Sequence, residues 1–210
     1  HIPVHLGSMS DSIRVVMQGH RDMRPGDAFV LNTPYNGGTH LPDITVVKPV
    51  FNAGKRPVFY VAARGHHADI GGISPGSMPA DSSHIEQEGV LLDNLVLMRD
   101  GQLQAHTIRA ALANARYPAR NPEQNLADLA AQLAACETGA QRLLQLCQHY
   151  GEDVVQAYMG HVQDNAAEVL SQALKTLPSG QFHCDMDDGG RIQVAIQVDQ
   201  QQGRARVDFS

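Results

Sequence analysis

Apolar and polar positions change period twice along this chain. From Ile13 to Ala63, short apolar runs alternate with turn signals: Arg24-Pro25-Gly26-Asp27 leads to Ala28 through Leu31, Pro34 through Gly38 leads to Ile44 through Phe51, and Asn52 through Pro57 leads to Val58 through Ala63. β-Branched and aromatic residues bounded by Gly, Pro and Asn predict strands joined by hairpin-like turns. Ile73 through Ser83 is too rich in Gly, Pro and Ser for regular structure and predicts a loop.

Near Asn121 the period becomes helical. Asn121-Pro122-Glu123 offers a cap, a proline at the first helical position and an early acid. Leu126, Leu129, Ala130, Leu133, Ala140, Leu143, Leu144 and Cys147 then recur close to every 3.6 residues until Tyr150-Gly151. A second helix is predicted from about Glu152 to Leu177, with Val155, Tyr158, Val162, Ala166, Val169, Leu170, Ala173 and Leu177 on one face. The single-glycine connection predicts an antiparallel helical hairpin. Strands return at Phe182 through Met186, Arg191 through Val198 and Arg204 through Phe209, divided by Asp187-Asp188-Gly189-Gly190 and Gln200 through Gly203. The expected class is α+β: a mixed or antiparallel sheet region, an inserted long antiparallel helical hairpin and C-terminal strands. The expected layout is a β-rich, site-bearing region over 1–120, the hairpin over 121–178 and strands over 179–210, all one structural unit.

Composition narrows the function classes. With 42% hydrophobic and 18% charged residues over 210 positions, the chain can bury a sizeable core. A net charge of -6 from scattered residues excludes the basic stripe that a phosphate backbone demands. No apolar run approaches the roughly 20 residues of a membrane-spanning helix. Cys136, Cys147 and Cys184 show no Cys-x-x-Cys spacing, so neither a disulfide framework nor a zinc ribbon is indicated, and a cytoplasmic location is expected. The chain begins at His1 and ends on a strand-like Val207 through Ser210, which suggests a piece of a longer protein. Gly-x-x-x-x-Gly-Lys-Ser/Thr, Gly-x-Gly-x-x-Gly and His-Glu-x-x-His are all absent, so any ATP must be bound by another domain or subunit.

Chemistry concentrates between Gly37 and Gly72. Gly37-Gly38-Thr39-His40-Leu41-Pro42-Asp43 enters one predicted strand, and Arg64-Gly65-His66-His67-Ala68-Asp69-Ile70-Gly71-Gly72 leaves another. His40 and Asp43, three apart across a proline turn, can aim into one pocket, and imidazole plus carboxylate suits Mn, Fe, Zn or Mg. The third ligand would be His66 or His67, which point to opposite faces if their segment is extended. The same spacing also suits a hydrogen-bonded polar cluster without a metal. Asp69 and Glu88 are candidate proton carriers; the alternatives are turn capping for Asp69 and solvation for Glu88. His5 is a candidate pocket residue. His20, His106, His149 and His161 stand alone and are read as solvated.

The runs Ile2 through Met9, Arg24 through Asp27, Asn32 through Tyr35, Gly37 through Asp43, His66 through Gly72, Pro75 through Pro79 and Gln87-Glu88-Gly89 together resemble the hydantoinase B/oxoprolinase family over essentially the whole chain. The resemblance implies one half of an ATP-dependent cyclic-amide hydrolase, 5-oxoprolinase or N-methylhydantoinase, with ATP bound by a hydantoinase A-type partner, in an oligomer. The alternative it implies is the matching subunit of an ATP-dependent ketone carboxylase, where a Mn site uses two histidines and an aspartate, the first pair spaced His-x-x-Asp. By motif, those ligands fall on His40, Asp43 and one of His66 and His67. Family subunits are more than twice this length. Thr33 stands where many members have aspartate. A non-catalytic module that docks a partner through the helical hairpin is the remaining reading.

Overall fold

Successive residues of the strand Asp43–Phe51 (β2) face opposite helix layers, and that alternation organises the first part of the protein. The computed structural model describes residues 3–54, 56–77 and 79–210. Ile2 of the family motif, Lys55 of the predicted turn and Met78 of the predicted loop lie outside them. β2 pairs with Pro57–His66 (β3) and with Ala28–Leu31 (β1); β1 pairs with Leu95–Arg99 (β4), and β4 with Gln102–Leu103 (β5). The sheet order is β3-β2-β1-β4-β5, antiparallel throughout, and the fold is α+β as predicted.

One face of this sheet buries Phe29, Leu31 and Val47 against Val16 of the helix Pro3–Gly19 (α1). The other buries Val30, Ile44 and Val46 against Ile108 and Leu112 of Ala105–Ala113 (α2) and Leu126, Leu129 and Cys136 of Pro122–Tyr150 (α3). The strand reading therefore fails at its first run: Ile13 lies in α1, where Ile13 and Val16, one helical turn apart, reach the same apolar cluster. β-Branched Ile13, Val15 and Val16 imitate a strand locally, and tertiary burial overrides that preference. α2 is a second helix within the 1–120 segment expected to be β-rich.

α3 starts at Pro122 as the cap signal predicts, and Gly151, at φ +90°, separates it from Glu152–Leu174 (α4). Its buried face carries Asn125, Leu126, Leu129, Gln132, Cys136 and Ala140, whereas Ala130, expected on that face, is exposed. Residues up to Gln145 form one unit with the five-stranded sheet, and Leu146–Ser210 form a second. In the second unit Val155 is buried, but Tyr158, Val162, Val169 and Leu170 of the predicted apolar face of α4 are exposed. Its strands Gly180–Asp185 (β6), Arg191–Asp199 (β7) and Arg204–Asp208 (β8) form an antiparallel sheet in that order, close to the predicted boundaries. No helix among the described residues is long and apolar enough to cross a membrane.

Candidate metal centre

The register of β2 and β3 sets Asp43 opposite His66 and Thr45 opposite Arg64, so all four lie on the face covered by α1. The turn before β2 brings His40 to the same place. Buried Asn32 holds it, donating from Nδ2 to the carbonyls of Leu41 and Val90, each at 2.9 Å, and accepting from the Leu92 N–H at 2.7 Å. Gly38 packs so tightly on this turn that a Cβ would sit 2.2 Å from the Asn32 carbonyl oxygen, which no side chain tolerates. Gly38, two residues before His40, is thus a condition of its position.

Asp43 is the centre of the resulting cluster and is 2% exposed. His5 Nε2, from α1, lies 2.7 Å from Asp43 Oδ2, and His40 Nδ1 lies 2.5 Å from the same oxygen. His66 Nδ1 approaches the other oxygen, Oδ1, at 3.0 Å. Thr39 Oγ1 stands 3.4 Å from Oδ2. The His5, His40 and Asp43 ligand atoms lie within 4.8 Å of one another, while His66, with a side chain 59% exposed, borders the trio on its solvent side. Two imidazole nitrogens and a carboxylate oxygen gathered this closely fit a borderline divalent ion such as Mn, Fe or Zn, with room for solvent or substrate on the open side. A buried carboxylate facing three imidazoles is equally an acid/base cluster.

Arg64 borders this cluster with a guanidinium that no carboxylate pairs with among the described residues. It donates from Nε to Thr45 Oγ1 at 2.7 Å, from Nη1 to Ser8 Oγ at 2.7 Å and the His5 carbonyl at 3.2 Å, and from Nη2 to Ser12 Oγ at 2.9 Å. Burial lowers its pKa from the ordinary value, and the Asp43 charge acts against that. It stays protonated.

His67 faces the opposite way. It is 1% exposed on the α3 side of the sheet, with Nε2 3.1 Å from Gln132 Oε1 and Nδ1 3.0 Å from Asn125 Nδ2. Gln132 Nε2 also donates to the carbonyls of Ile44 and Ala63, and Asn125 Nδ2 to that of Asp69. These bonds orient both amides and leave the His67 proton on Nε2. Burial holds its pKa below the usual imidazole value, against the hydrogen bond to Gln132. Both of its ring nitrogens are engaged by α3, so it is not brought to Asp43.

Asp69 is a loop clasp. Oδ1 accepts from the N–H groups of Gly71 (2.9 Å) and Arg120 (3.1 Å), and Oδ2 from the Gly76 N–H (3.1 Å) and Arg120 Nη1 (2.7 Å). Partial burial raises its pKa, but the bonds from Gly71, Arg120 and Gly76 outweigh that and hold it below the ordinary carboxylate value. Glu88 follows the 3-10 turn Ile85–Gln87 and accepts from Ser82 Oγ at 2.8 Å. Neither carboxylate is joined to the Asp43 cluster by a described bond. His20, read as solvated, instead stacks on Phe29 with ring centres 4.1 Å apart and places Nε2 2.9 Å from the Asn94 carbonyl oxygen.

Sequence reasoning assigned no role to Arg64, Asn125 or Gln132. A signal for the last two existed: polar residues seven apart on one helix face, interrupting the stripe of Leu126, Leu129 and Leu133, mark a buried polar contact.

Comparisons with known proteins identify the family and the fold. The family described as hydantoinase B/oxoprolinase matches residues 1–210. A 5-oxoprolinase from Dictyostelium discoideum is 39% identical over 219 residues, covering all of this chain and 17% of that protein. Caprolactamase subunit beta from Pseudomonas jessenii is 34% identical over 180 residues, covering 85% of this chain and 30% of that protein. The crystal structure of the ATP-dependent caprolactamase from Pseudomonas jessenii superposes with a TM-score of 0.81 at 30% identity, covering 98% of this chain and 36% of that one. The nucleotide-free acetone carboxylase shares the fold, with a TM-score of 0.75 at 18% identity over 98% of this chain and 30% of that one. The chain thus spans well under half the length of these relatives, and it belongs to the hydantoinase B/oxoprolinase family.

Proposed function

We propose that this chain carries the metal-assisted hydrolytic centre of an ATP-dependent cyclic-amide hydrolase, with His5, His40 and Asp43 holding a divalent ion and His66 at its edge. The observation that carries the reading is Asp43, a nearly fully buried carboxylate faced by three imidazoles from three separate segments. Family membership and the relatives named 5-oxoprolinase and caprolactamase support a cyclic amide as substrate class.

A lactam is a stable amide with a poor leaving group, and phosphorylation of its carbonyl oxygen by a hydantoinase A-type ATP-binding partner would convert it to an activated imidate-like phosphate. Water adding to that carbon would break its C–N bond and open the ring to an amine and an acyl phosphate, which a second water would hydrolyse to a carboxylate and inorganic phosphate. A divalent cation held by His5, His40 and Asp43 would lower the pKa of water and offset developing negative charge. Asp43 supplies the fixed negative charge, and His5 and His40 supply nitrogen donors. His66, the most exposed of the three imidazoles, is placed to take or give a proton at Nε2 on the open side. Asp69 and Glu88, engaged elsewhere, serve the loop rather than the proton path.

The test is turnover by the full-length protein with its hydantoinase A-type partner, ATP and 5-oxoproline, hydantoin or caprolactam, with metal analysis alongside. Ring opening without bicarbonate, lost in Asp43→Asn together with the metal, is expected. Bicarbonate-dependent consumption of acetone would replace this reading with ketone carboxylation. Unchanged turnover in the variant would leave the chain as an assembly module.

A further inference from the structure

The cluster at Asp43 draws its residues from four separate segments: His5 from α1, His40 from the loop before β2, Asp43 from β2 and His66 from β3. Backbone pairing explains only two of these. Asp43 and His66 are register partners in the β2–β3 ladder. α1 is held to the sheet by apolar packing around Ile13 and Val16, two or more turns away from His5. The His40 loop is pinned through Asn32 on its far side. Something must set the near side, where the imidazoles converge.

We propose that Arg64 is the positioning residue that assembles the Asp43 cluster, one guanidinium tying together all four segments that supply it. Its own strand carries His66, two residues on and on the same face. Through Nε it grips Thr45, which stands on the same face of β2 as Asp43. Through Nη1 it holds the His5 carbonyl and the Ser8 hydroxyl, fixing the N-terminal turns of α1. Through Nη2 it holds Ser12, whose hydroxyl hydrogen-bonds the Gly37 carbonyl in the loop that leads to His40. Ser12 Oγ also lies 3.3 Å from the Ser8 carbonyl, a longer contact within α1 itself.

The choice of side chain follows from this task. Four bonds in fixed, planar directions need a guanidinium fork; a lysine ammonium offers three donors from a single point and cannot span Thr45, Ser8 and Ser12 together. With four of five N–H groups committed to the protein, Arg64 is arranged to position its neighbours rather than to grip a substrate. Its bonded partners are hydroxyls and a carbonyl, and the Asp43 charge acts on it only through space. A cation so placed opposes capture of a second cation unless the ligands are already gathered, which makes the preorganisation count.

This inference rests on the metal reading for its consequence, but the assembling role can be read without metal. In chelated full-length protein, hydrogen exchange is compared between wild type, Arg64→Lys and Ser12→Ala; Co(II) is then titrated into each and its visible d–d absorption recorded. Arg64→Lys keeps the charge and should speed exchange about tenfold in both 7–12 and 36–42, weaken Co(II) about 10-fold to 100-fold and alter the absorption band. Ser12→Ala should loosen 36–42 and shift the band while leaving 7–12 near wild type. Wild-type exchange in both segments of Arg64→Lys overturns the proposal, as does wild-type Co(II) affinity with an unchanged band. If Arg64→Lys does not fold, unchanged exchange over 36–42 in Ser12→Ala overturns it. Should the wild type take up no Co(II), the metal reading fails and exchange alone decides the assembling role.

Discussion

His66 and His67 are adjacent, chemically identical and set on opposite faces of one sheet, so truncating each in turn tests the whole arrangement. His67→Ala removes the hydrogen bonds to Gln132 Oε1 and from Asn125 Nδ2, each contributing about 1 kcal/mol net, and leaves the buried Gln132 oxygen unpaired at about 1 kcal/mol more. The expected loss is about 3 kcal/mol, or on the order of a hundredfold in the opening equilibrium. His66→Ala removes a side chain that is 59% exposed and should change stability by no more than about 0.5 kcal/mol. Native-state hydrogen exchange of the β2 and β3 amides, measured in chelator on the full-length protein, reads this difference without requiring the whole molecule to unfold in one step. Metal binding should order the pair the other way, with Co(II) about tenfold weaker in His66→Ala and close to wild type in His67→Ala. Equal exchange in the two variants, or faster exchange in His66→Ala, would refute the assignment of faces.

Asp43→Asn preserves shape and removes the negative charge; retained metal after dialysis should fall from stoichiometric to near zero, with turnover down at least about 100-fold, and undiminished metal would end the ligand assignment. Because burial holds the His67 pKa below its unfolded value of about 6.5, both states are neutral above that pH, and below it the unfolded state binds a proton that the native state refuses. Stability of the chelated protein should therefore fall as pH drops from about 6.5 toward the lowered folded pKa, by at most about 1.4 kcal/mol per unit. His67→Gln, compared by denaturation at pH 7 and pH 5, should lose this part of the dependence, and an identical slope would count against a buried neutral imidazole. Asp69→Asn weakens the clasp on Gly71, Gly76 and Arg120, so exchange over 71–77 should rise about tenfold while kcat changes less than about threefold. A large kcat loss with an unaltered loop would restore Asp69 to the proton path.

Local signals served best where one physical demand governs a segment. Asn121-Pro122-Glu123 starts α3 because a helix N-terminus leaves N–H groups that a cap and a proline suit, and the turn from Asp187 to Gly190 divides β6 from β7 because its backbone closes on itself, Met186 N–H to Gly190 carbonyl at 2.8 Å. α1 was misread because its β-branched residues favour a strand until Phe29, Leu31 and Val47 offer them a surface. His40 and Asp43 were legible as a pair since three residues and a proline separate them. His5 was not tied to them, because its carboxylate partner lies 38 positions along the chain and is met only when α1 lies across the sheet.

Sequence alone determined the inventory: which donors exist, that glycines flank them, that no phosphate loop accompanies them, and that the order of elements is α+β. It also offered His66 and His67 as candidates for a third ligand, of which only one could join the site, since a strand sends neighbours to opposite faces. Which face belongs to the site was decided only by tertiary structure. The β2–β3 register aligns His66 with Asp43 under α1, while α3 covers the other face and claims His67 through Asn125 and Gln132. Register and helix placement depend on contacts far apart in sequence, and a one-residue slip would exchange the two histidines, so no local pattern could make that choice.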